Sequence, residues 1–207
     1  MIRRKLQLDF TATHSAWRLC MFALALGVLA LLSNTTFAQG VSDGFAPTVD
    51  GTITVVRTQA DGKILIGGVF NNVNGVPHKS LARLNRNGAL DSTFSAVTNG
   101  TVNDIIVQAD GAIVIGGNFT QVNGTARTNL ARVSGTDGTL DATPNLDFSG
   151  PVYALAQQPQ DGRLLVGGSF IAIGNTSVQR VARLFPNGGV DGTFTASADN
   201  SVDQFAL

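Results

Sequence analysis

The chain has 207 residues, with 14 Lys and Arg against 14 acidic residues, 24 glycines and one cysteine. All the acidic residues are aspartates, and a composition rich in Asp and Gly but without Glu favours turns over helices. A single cysteine forms no internal disulfide, and the absence of a basic patch argues against nucleic acid as a partner.

Residues 1–38 are predicted to be a secretory signal peptide. A basic start (Arg3, Arg4, Lys5) precedes a 14-residue apolar run at 19–32, and Thr36-Phe-Ala38 is a small-x-small cleavage signal before Gln39. A membrane anchor is the alternative, but the run is shorter than the ~20 residues that a span needs. The mature chain is therefore expected to be secreted, periplasmic or at the cell surface, without a membrane span.

A phrase of eight residues occurs three times, at 61–68, 110–117 and 161–168. It begins with Asp-Gly and ends with Gly-Gly, and a phenylalanine follows two residues later. These repeated positions are Asp61, Gly62, Gly67, Gly68, Phe70, Asp110, Gly111, Gly116, Gly117, Phe119, Asp161, Gly162, Gly167, Gly168 and Phe170. The period divides the chain into a lead-in or partial repeat (39–52), repeats 1 to 3 (53–101, 102–151, 152–201) and the start of a fourth copy (202–207).

Each repeat is predicted to contain four strands, at about 53–58, 63–69, 80–85 and 89–94 in the first copy. The β-branched runs are typical of strands, and the Asp-Gly and Asn-Gly pairs between them predict hairpins with type I′ turns. Four-stranded units of about fifty residues favour an all-β fold, a β-propeller with three full blades and partial ones.

A closed propeller needs about four blades or more. The pieces at the two ends of the chain could combine into a split fourth blade, or the chain could be part of a longer protein. The second alternative is favoured, which makes the ring incomplete.

The combined pattern, with Asp-Gly, Gly-Gly-x-Phe, Ala-Arg and a closing Leu-Asp-x-Thr-Phe, resembles the bacterial delta-60 repeat family. The resemblance implies a β-propeller that is secreted or at the cell surface and has no assigned activity. Repeat 2 departs from the pattern with Pro144 in place of the closing phenylalanine and a longer turn at 134–138.

A second periodic set pairs an arginine with an aspartate that follows 8, 9 and 8 residues later. An arginine between Ala and Leu in a strand is expected to be partly buried and to need a carboxylate partner, so these residues predict ion pairs. Binding of Ca²⁺ by a ring of aspartates is the alternative. The set consists of Arg83, Arg132, Arg183, Asp91, Asp141 and Asp191.

The other repeated residues also have structural interpretations. The Asp-Gly aspartates are expected in turns, the glycine pairs at a close backbone approach or a bulge, and the phenylalanines in packing between blades. His78, the one histidine after residue 38, lies in a polar loop and is expected to be solvated. No catalytic, cofactor or metal site is predicted, because no nucleophile–base set, phosphate loop or His/Cys cluster occurs.

Three functional hypotheses follow. The first is a non-enzymatic binding scaffold for a surface protein or a glycan, with contact through the variable segments 71–79, 95–101, 120–128, 145–150 and 171–179. The second is a carbohydrate-binding or carbohydrate-active propeller, and the third is a calcium-dependent adhesion module. Fold alone does not separate them.

Overall fold

The computed structural model describes residues 45–206, so the predicted signal peptide and residues 39–44 lie outside the described residues. Within 45–206 the chain consists of strands joined by turns, with no helix. No membrane-crossing helix is therefore found in this part of the chain. The expected all-β fold is confirmed.

Each repeat contains three longer strands and a hairpin of two very short ones. Repeat 1 has β1 (Thr52–Thr58), β2 (Ile64–Val69), β3 (Asn72–Val73), β4 (Val76–Pro77) and β5 (Leu81–Leu84). Repeat 2 has β6 (Thr101–Val107), β7 (Ile113–Asn118), β8 (Gln121–Val122), β9 (Thr125–Ala126) and β10 (Leu130–Val133). Repeat 3 has β11 (Val152–Gln157), β12 (Leu164–Gly168), β13 (Ala172–Ile173), β14 (Thr176–Ser177) and β15 (Val181–Leu184).

The longer strands of each repeat form one antiparallel sheet with the second strand in the centre: β1-β2-β5, β6-β7-β10 and β11-β12-β15. The fourth strand predicted at 89–94 is reduced to a single bridge between Leu84 and Leu90, and the other repeats have the same bridge. The Asp91 side chain explains this difference. It accepts hydrogen bonds from the backbone N–H and the hydroxyl of Thr93, at 3.0 and 2.6 Å, so the chain turns instead of extending.

The predicted type I′ turn is present at one of the three Asp-Gly or Asn-Gly positions between the predicted strands of repeat 1, and at Asn87-Gly88 only the glycine has positive φ, 83°. Asn74 and Gly75 both have positive φ (52° and 75°) between β3 and β4, as this turn type requires. At Asp61-Gly62 only the glycine has positive φ, 79°. The Gln59 N–H donates to the Lys63 carbonyl, so three residues form the loop, and a three-residue loop takes a type I turn followed by a glycine bulge.

The apolar core lies between successive sheets. We call the sheet side that carries Ile64 and Ile66 the head face of repeat 1, and the side that carries Leu65 its tail face, because alternate residues of a strand point to opposite sides. One buried cluster joins the tail face of repeat 1 to the head face of repeat 2, and a second joins repeats 2 and 3 in the same way. Phe119 and Phe170 belong to these clusters, as predicted for packing between blades, whereas Phe70 packs in a separate cluster with residues of its own repeat.

The glycine pair lies where two sheets come closest. A Cβ on Gly67 would approach Val102 of the next repeat to 2.7 Å, and one on Gly167 would approach Val202 to 2.7 Å. A Cβ on Gly68 would instead collide with the backbone carbonyl of Thr52 in the paired strand. The missing side chain at the first glycine therefore lets the next repeat pack closely, and the missing side chain at the second lets the paired strand of the same sheet approach.

A β-bulge lies opposite each glycine pair. Ile53 pairs with Gly68 and Val55 with Gly67, which leaves Thr54 as an extra residue, and β6 and β11 have the same irregularity. The extra side chain reaches the next repeat, since Thr54 donates to the Val102 carbonyl at 2.5 Å. The two expectations for the glycine pair, close approach and a bulge, both hold.

Candidate functional site

The predicted Arg–Asp pair is present in all three repeats, in each case within one repeat. Arg83 Nε lies 2.7 Å from Asp91 Oδ2, Arg183 Nε lies 2.8 Å from Asp191 Oδ2, and Arg132 pairs with Asp141. In repeats 1 and 3 the Arg–Asp pair is extended by a second cation on the same carboxylate. The two additional contacts are Lys63 with Asp91 at 2.8 Å and Arg163 with Asp191 at 3.0 Å.

Arg83 also ties repeat 1 to repeat 2. Its guanidinium donates to the carbonyls of Gly135 and Thr136 in the long turn of repeat 2. It also stacks over the Phe94 ring, with 4.6 Å between the guanidinium carbon and the ring centroid. These contacts bury Arg83 almost completely, which a charged side chain tolerates only when its donors are satisfied.

The environment of the aspartates favours their charged form. Burial alone would raise the pKa of Asp91, but hydrogen bonds from Lys63, Thr93 and Arg83 outweigh it and hold the pKa far below the usual range. Hydrogen bonds from Thr193 lower the pKa of Asp191 against the effect of burial, with a further contribution from Arg183. Both carboxylates are therefore charged at neutral pH and stabilise the folded state.

Acid is expected to weaken the fold through these two groups. A depressed folded-state pKa contributes stability above the unfolded value of about 3.9, and this contribution is lost as the pH falls towards the folded value. The melting temperature should thus be nearly level from about pH 7 to 5 and decline below about pH 4. The double variant Asp91→Asn/Asp191→Asn should show a shallower decline in a pH series of thermal melts, with Asp203→Asn as control. An equally steep decline in the double variant would refute the assignment.

Repeat 2 departs from its neighbours around the same ion pair. Ala112 stands where repeats 1 and 3 have Lys63 and Arg163, so Asp141 lacks the second cation. Pro144 stands where Phe94 and Phe194 stack on their arginines, so Arg132 has no ring above it. Its side chain is 25% exposed, against 2% for Arg83 and 20% for Arg183.

A polar cleft, which we call the Arg132 cleft, lies beside this ion pair. It has a volume of about 490 Å³ and lies between the Asp-Gly turns of repeats 1 and 2 and the long turn of repeat 2. Arg132 donates to Gln108 Oε1 at 2.7 Å and pairs with Asp110 and Asp141. The side chains that line it include Gln59, Asp61, Gln108, Asp110, Arg132 and Asp141.

The Arg132 cleft is rich in hydrogen-bond acceptors. It has three aspartates and one arginine in its lining, which favours neutral or cationic ligand groups over anionic ones. Gln59 adds an acceptor, since its Oε1 is buried without a hydrogen-bond partner. Gln158, at the same position of repeat 3, has the same unpartnered Oε1, so this feature belongs to the repeat and does not distinguish the cleft.

A second polar connection crosses all three repeats along their first strands. Asp104 accepts from Arg57 of repeat 1 at 2.7 Å and from the Leu155 N–H of repeat 3 at 2.9 Å. It stands where repeats 1 and 3 have Val55 and Ala154, so it is an acidic residue outside the repeat pattern. Both of its oxygens are engaged within the fold, which assigns it a structural position.

The expectation that His78 is solvated is wrong. The ring is buried, and Nε2 lies 3.1 Å from the Phe94 carbonyl. The His78 N–H donates to the Asn71 carbonyl at 2.8 Å, which closes the base of the hairpin and turns the ring inward. The polar sequence around His78 did not indicate this, because burial comes from the returning segment at Phe94.

One periodic set of residues was missed. Asp50, Asn99 and Ser149 each use a side-chain oxygen to accept two backbone N–H groups at the start of the following hairpin, at 2.8 to 3.0 Å. Their spacing of 49 and 50 residues was the available signal. Three different residue types share one acceptor function, which hid the repetition.

The alternative hypothesis for Asp91, Asp141 and Asp191 was calcium binding, and the described part of the chain contains no cluster that supports it. Among residues 45–206, no group of three or more His, Cys, Asp or Glu side chains is placed to hold a metal ion. The aspartates of the repeated pairs are occupied by arginine, lysine and threonine donors instead.

Comparison with known families agrees with this geometry. A family model described as a β-propeller domain of unknown function, DUF5122, matches residues 59–94, 108–143 and 160–194. The three matches together cover about half of the chain, and each runs from the first turn of a repeat to the region of its closing aspartate. No curated protein matches the chain.

Proposed function

The chain belongs to the DUF5122 family of β-propeller domains, and on this premise we propose that it is a non-enzymatic binding scaffold, secreted or at the cell surface. We also infer that its repeats are of the delta-60 type, because the matched segments contain the Asp-Gly, Gly-Gly and Ala-Arg positions that carry that resemblance. The predicted signal peptide supports export, and the Arg132 cleft is the surface that contacts the partner.

One observation carries the proposal: two changes that distinguish repeat 2, Ala112 and the long turn, both line the Arg132 cleft. Repeated residues maintain a repeated fold, whereas a partner needs a place that differs from its surroundings. Ala112 and the long turn at 134–138 lie in separate parts of the sequence, yet both contribute to the lining around Arg132, whereas Pro144 lies outside this lining.

The same cleft favours binding over catalysis. Its aspartates, Asp61, Asp110 and Asp141, all occupy positions that recur in each repeat, and two of them pair with Arg132. A hydrolase acting through two carboxylates needs one to be free to donate a proton and the other to attack or activate water. Acceptor-rich walls suit the hydroxyl groups of a glycan or the amino groups of a surface protein instead.

The variant Ala112→Lys tests the proposal without removing any contact. It gives repeat 2 the lysine that repeat 1 has at position 63, so the new amine should pair with Asp141 and fill the cleft. We expect the variant to melt at or above the wild-type temperature and to lose binding. Neutral oligosaccharides on an array and immobilised polylysine serve as probes. Thr195→Ser, which makes repeat 3 match Ser95 of repeat 1, is the control and should bind as wild type does.

Three results would overturn the proposal. Binding of neither probe by the wild-type chain, or equal binding by Ala112→Lys, would remove the Arg132 cleft as the contact surface. Release of shorter sugars from the bound oligosaccharides would show that the chain is an enzyme.

A further inference from the structure

The charged residues around the Arg–Asp pair are balanced in repeats 1 and 3 but not in repeat 2. At four corresponding positions, repeats 1 and 3 each carry two aspartates and two cations, whereas repeat 2 carries two aspartates and one cation. The three sets are Asp61, Lys63, Arg83 and Asp91; Asp110, Ala112, Arg132 and Asp141; and Asp161, Arg163, Arg183 and Asp191. Repeat 2, which has a complete repeat on each side, therefore lacks one positive charge at this place.

A single cation serves both carboxylates of repeat 2. Arg132 is shared between Asp110 and Asp141. In repeat 1 the Oδ2 atom of Asp91 instead accepts from Lys63 Nζ at 2.8 Å in addition to its arginine. The Asp141 side chain is accordingly 31% exposed, against 5% for Asp91.

The second oxygen of Asp141 also lacks the contacts that its counterparts make. Oδ1 of Asp91 accepts from the backbone N–H and the hydroxyl of Thr93, and repeat 3 has the same two bonds. Among the described residues, the one hydrogen-bond donor to the Asp141 carboxylate is Arg132, which reaches Oδ2. Oδ1 is therefore available to accept from a ligand, since a carboxylate has room for about four donors.

Small residues leave space beside this carboxylate. Ala112 stands where the other repeats carry a cation, and Ser134 and Gly135 follow β10 where Phe185 and Pro186 follow β15. All three small residues line the Arg132 cleft. The place that a lysine or arginine side chain fills in the neighbouring repeats is thus open to a group from outside the chain.

The same surroundings favour an ammonium group over a guanidinium. In repeat 3 the guanidinium of Arg163 stacks on the Phe185 ring, with 5.0 Å between its carbon and the ring centroid. Ser134 takes the place of that ring in repeat 2, and no aromatic side chain lines the cleft. Lys63 of repeat 1 makes its ion pair with Asn85 at this position, so an ammonium does not need the ring.

We infer that the Arg132 cleft binds a primary ammonium group on an unbranched alkyl chain, the chemistry of a lysine side chain or of a free diamine. The ammonium lies on the Asp141 carboxylate as Lys63 does on Asp91, donates hydrogen bonds to it and supplies the missing charge. This inference rests on the proposed binding function and selects the amine from the two ligand classes named there.

The test is calorimetric titration of the folded chain with three probes. They are hexalysine with blocked termini, the same peptide with its side-chain amines acetylated, and cadaverine, a free diamine. Asp141→Asn removes the receiving charge, and Ala112→Lys supplies an ammonium from the chain itself. Asp147→Asn is the matched control, because Asp147 is an exposed aspartate of repeat 2 outside the cleft and its loss changes the net charge equally. Thermal melts establish that each variant is folded.

We expect hexalysine to bind the wild type and Asp147→Asn with affinities within about twofold of each other. Its affinity for Asp141→Asn and for Ala112→Lys should fall at least about tenfold, and acetylation of the peptide should weaken binding to the wild type as much. Cadaverine should show the same dependence on the variants. Tighter binding of hexalysine would assign the ammonium to a protein partner, and tighter binding of cadaverine would assign it to a free diamine.

The inference fails if the acetylated peptide binds as well as hexalysine, or if Asp141→Asn binds hexalysine as the wild type does. It also fails, while the proposed function stands, if the wild type binds neutral oligosaccharides, loses them in Ala112→Lys and does not bind either amine. If the wild type binds neither oligosaccharides nor amines, the inference and the proposed function fail together.

Discussion

Gly117→Ala is expected to lower the melting temperature by roughly 10 °C, which corresponds to about 3 kcal/mol of unfolding free energy. A Cβ at this position would collide with the Thr101 carbonyl of the paired strand and lie within 2.9 Å of the buried Phe119 ring. Neither group can move without disturbing the sheet, so the added methyl group strains the backbone of the middle repeat. Differential scanning calorimetry measures the change.

Gly192→Ala is the matched control. A Cβ on Gly192 would meet no atom within 4 Å, and repeat 2 already has Ala142 at this position. The substitution should shift the unfolding free energy by no more than about 0.5 kcal/mol. Equal destabilisation by the two variants would mean that loss of glycine as such, and not the close approach at Gly117, is responsible.

Arg83→Ala is expected to destabilise the chain by about 3 kcal/mol, whereas Arg132→Ala should cost about 1 kcal/mol or less. Removal of Arg83 leaves the buried Asp91 with one cation instead of two and frees the carbonyls of Gly135 and Thr136. Arg132 is more exposed, and water can replace its contacts. Urea denaturation of the two variants gives the comparison.

The contrast between the two arginines is the informative part. Both variants remove the same residue type from the same position of the repeat, so helix or strand propensity and side-chain entropy are matched. Similar losses in both would show that the contacts of Arg83 with repeat 2 and with Phe94 contribute little. A larger loss at Arg132 would contradict the assignment of its cleft as a solvated site.

Local chemistry made much of the fold predictable. The repeat period and the alternating β-branched runs located the strands, and Asn74-Gly75 formed the predicted type I′ turn because both residues tolerate positive φ. The Arg83–Asp91 pair followed from the cost of burying an unpaired guanidinium in a strand. These predictions depended on one residue or on neighbours within a single repeat.

Three predictions failed, one because of a distant segment and two because of local backbone geometry. Asp61-Gly62 was expected to adopt the same turn as Asn74-Gly75, but the register of β1 on β2 places three residues in the loop. His78 is buried because the chain returns to it at Phe94, and the strand predicted at 89–94 ends where the Asp91 side chain bonds to Thr93. Only for His78 does the deciding contact join residues far apart in the sequence, whereas the loop at Asp61-Gly62 and the end of the predicted strand are set by contacts within four residues.

The sequence by itself determined the repeat, the all-β class, the glycine pairs and the Arg–Asp pairs, because these depend on residue type at a fixed spacing. Only the tertiary structure decided that Ala112 and the long turn of repeat 2 lie beside one ion pair and line the Arg132 cleft. It also decided that Ile53 and Val56 are exposed while their counterparts are buried. The physical reason is that burial is a property of what packs against a side chain, and in a repeat fold that neighbour lies about fifty residues away.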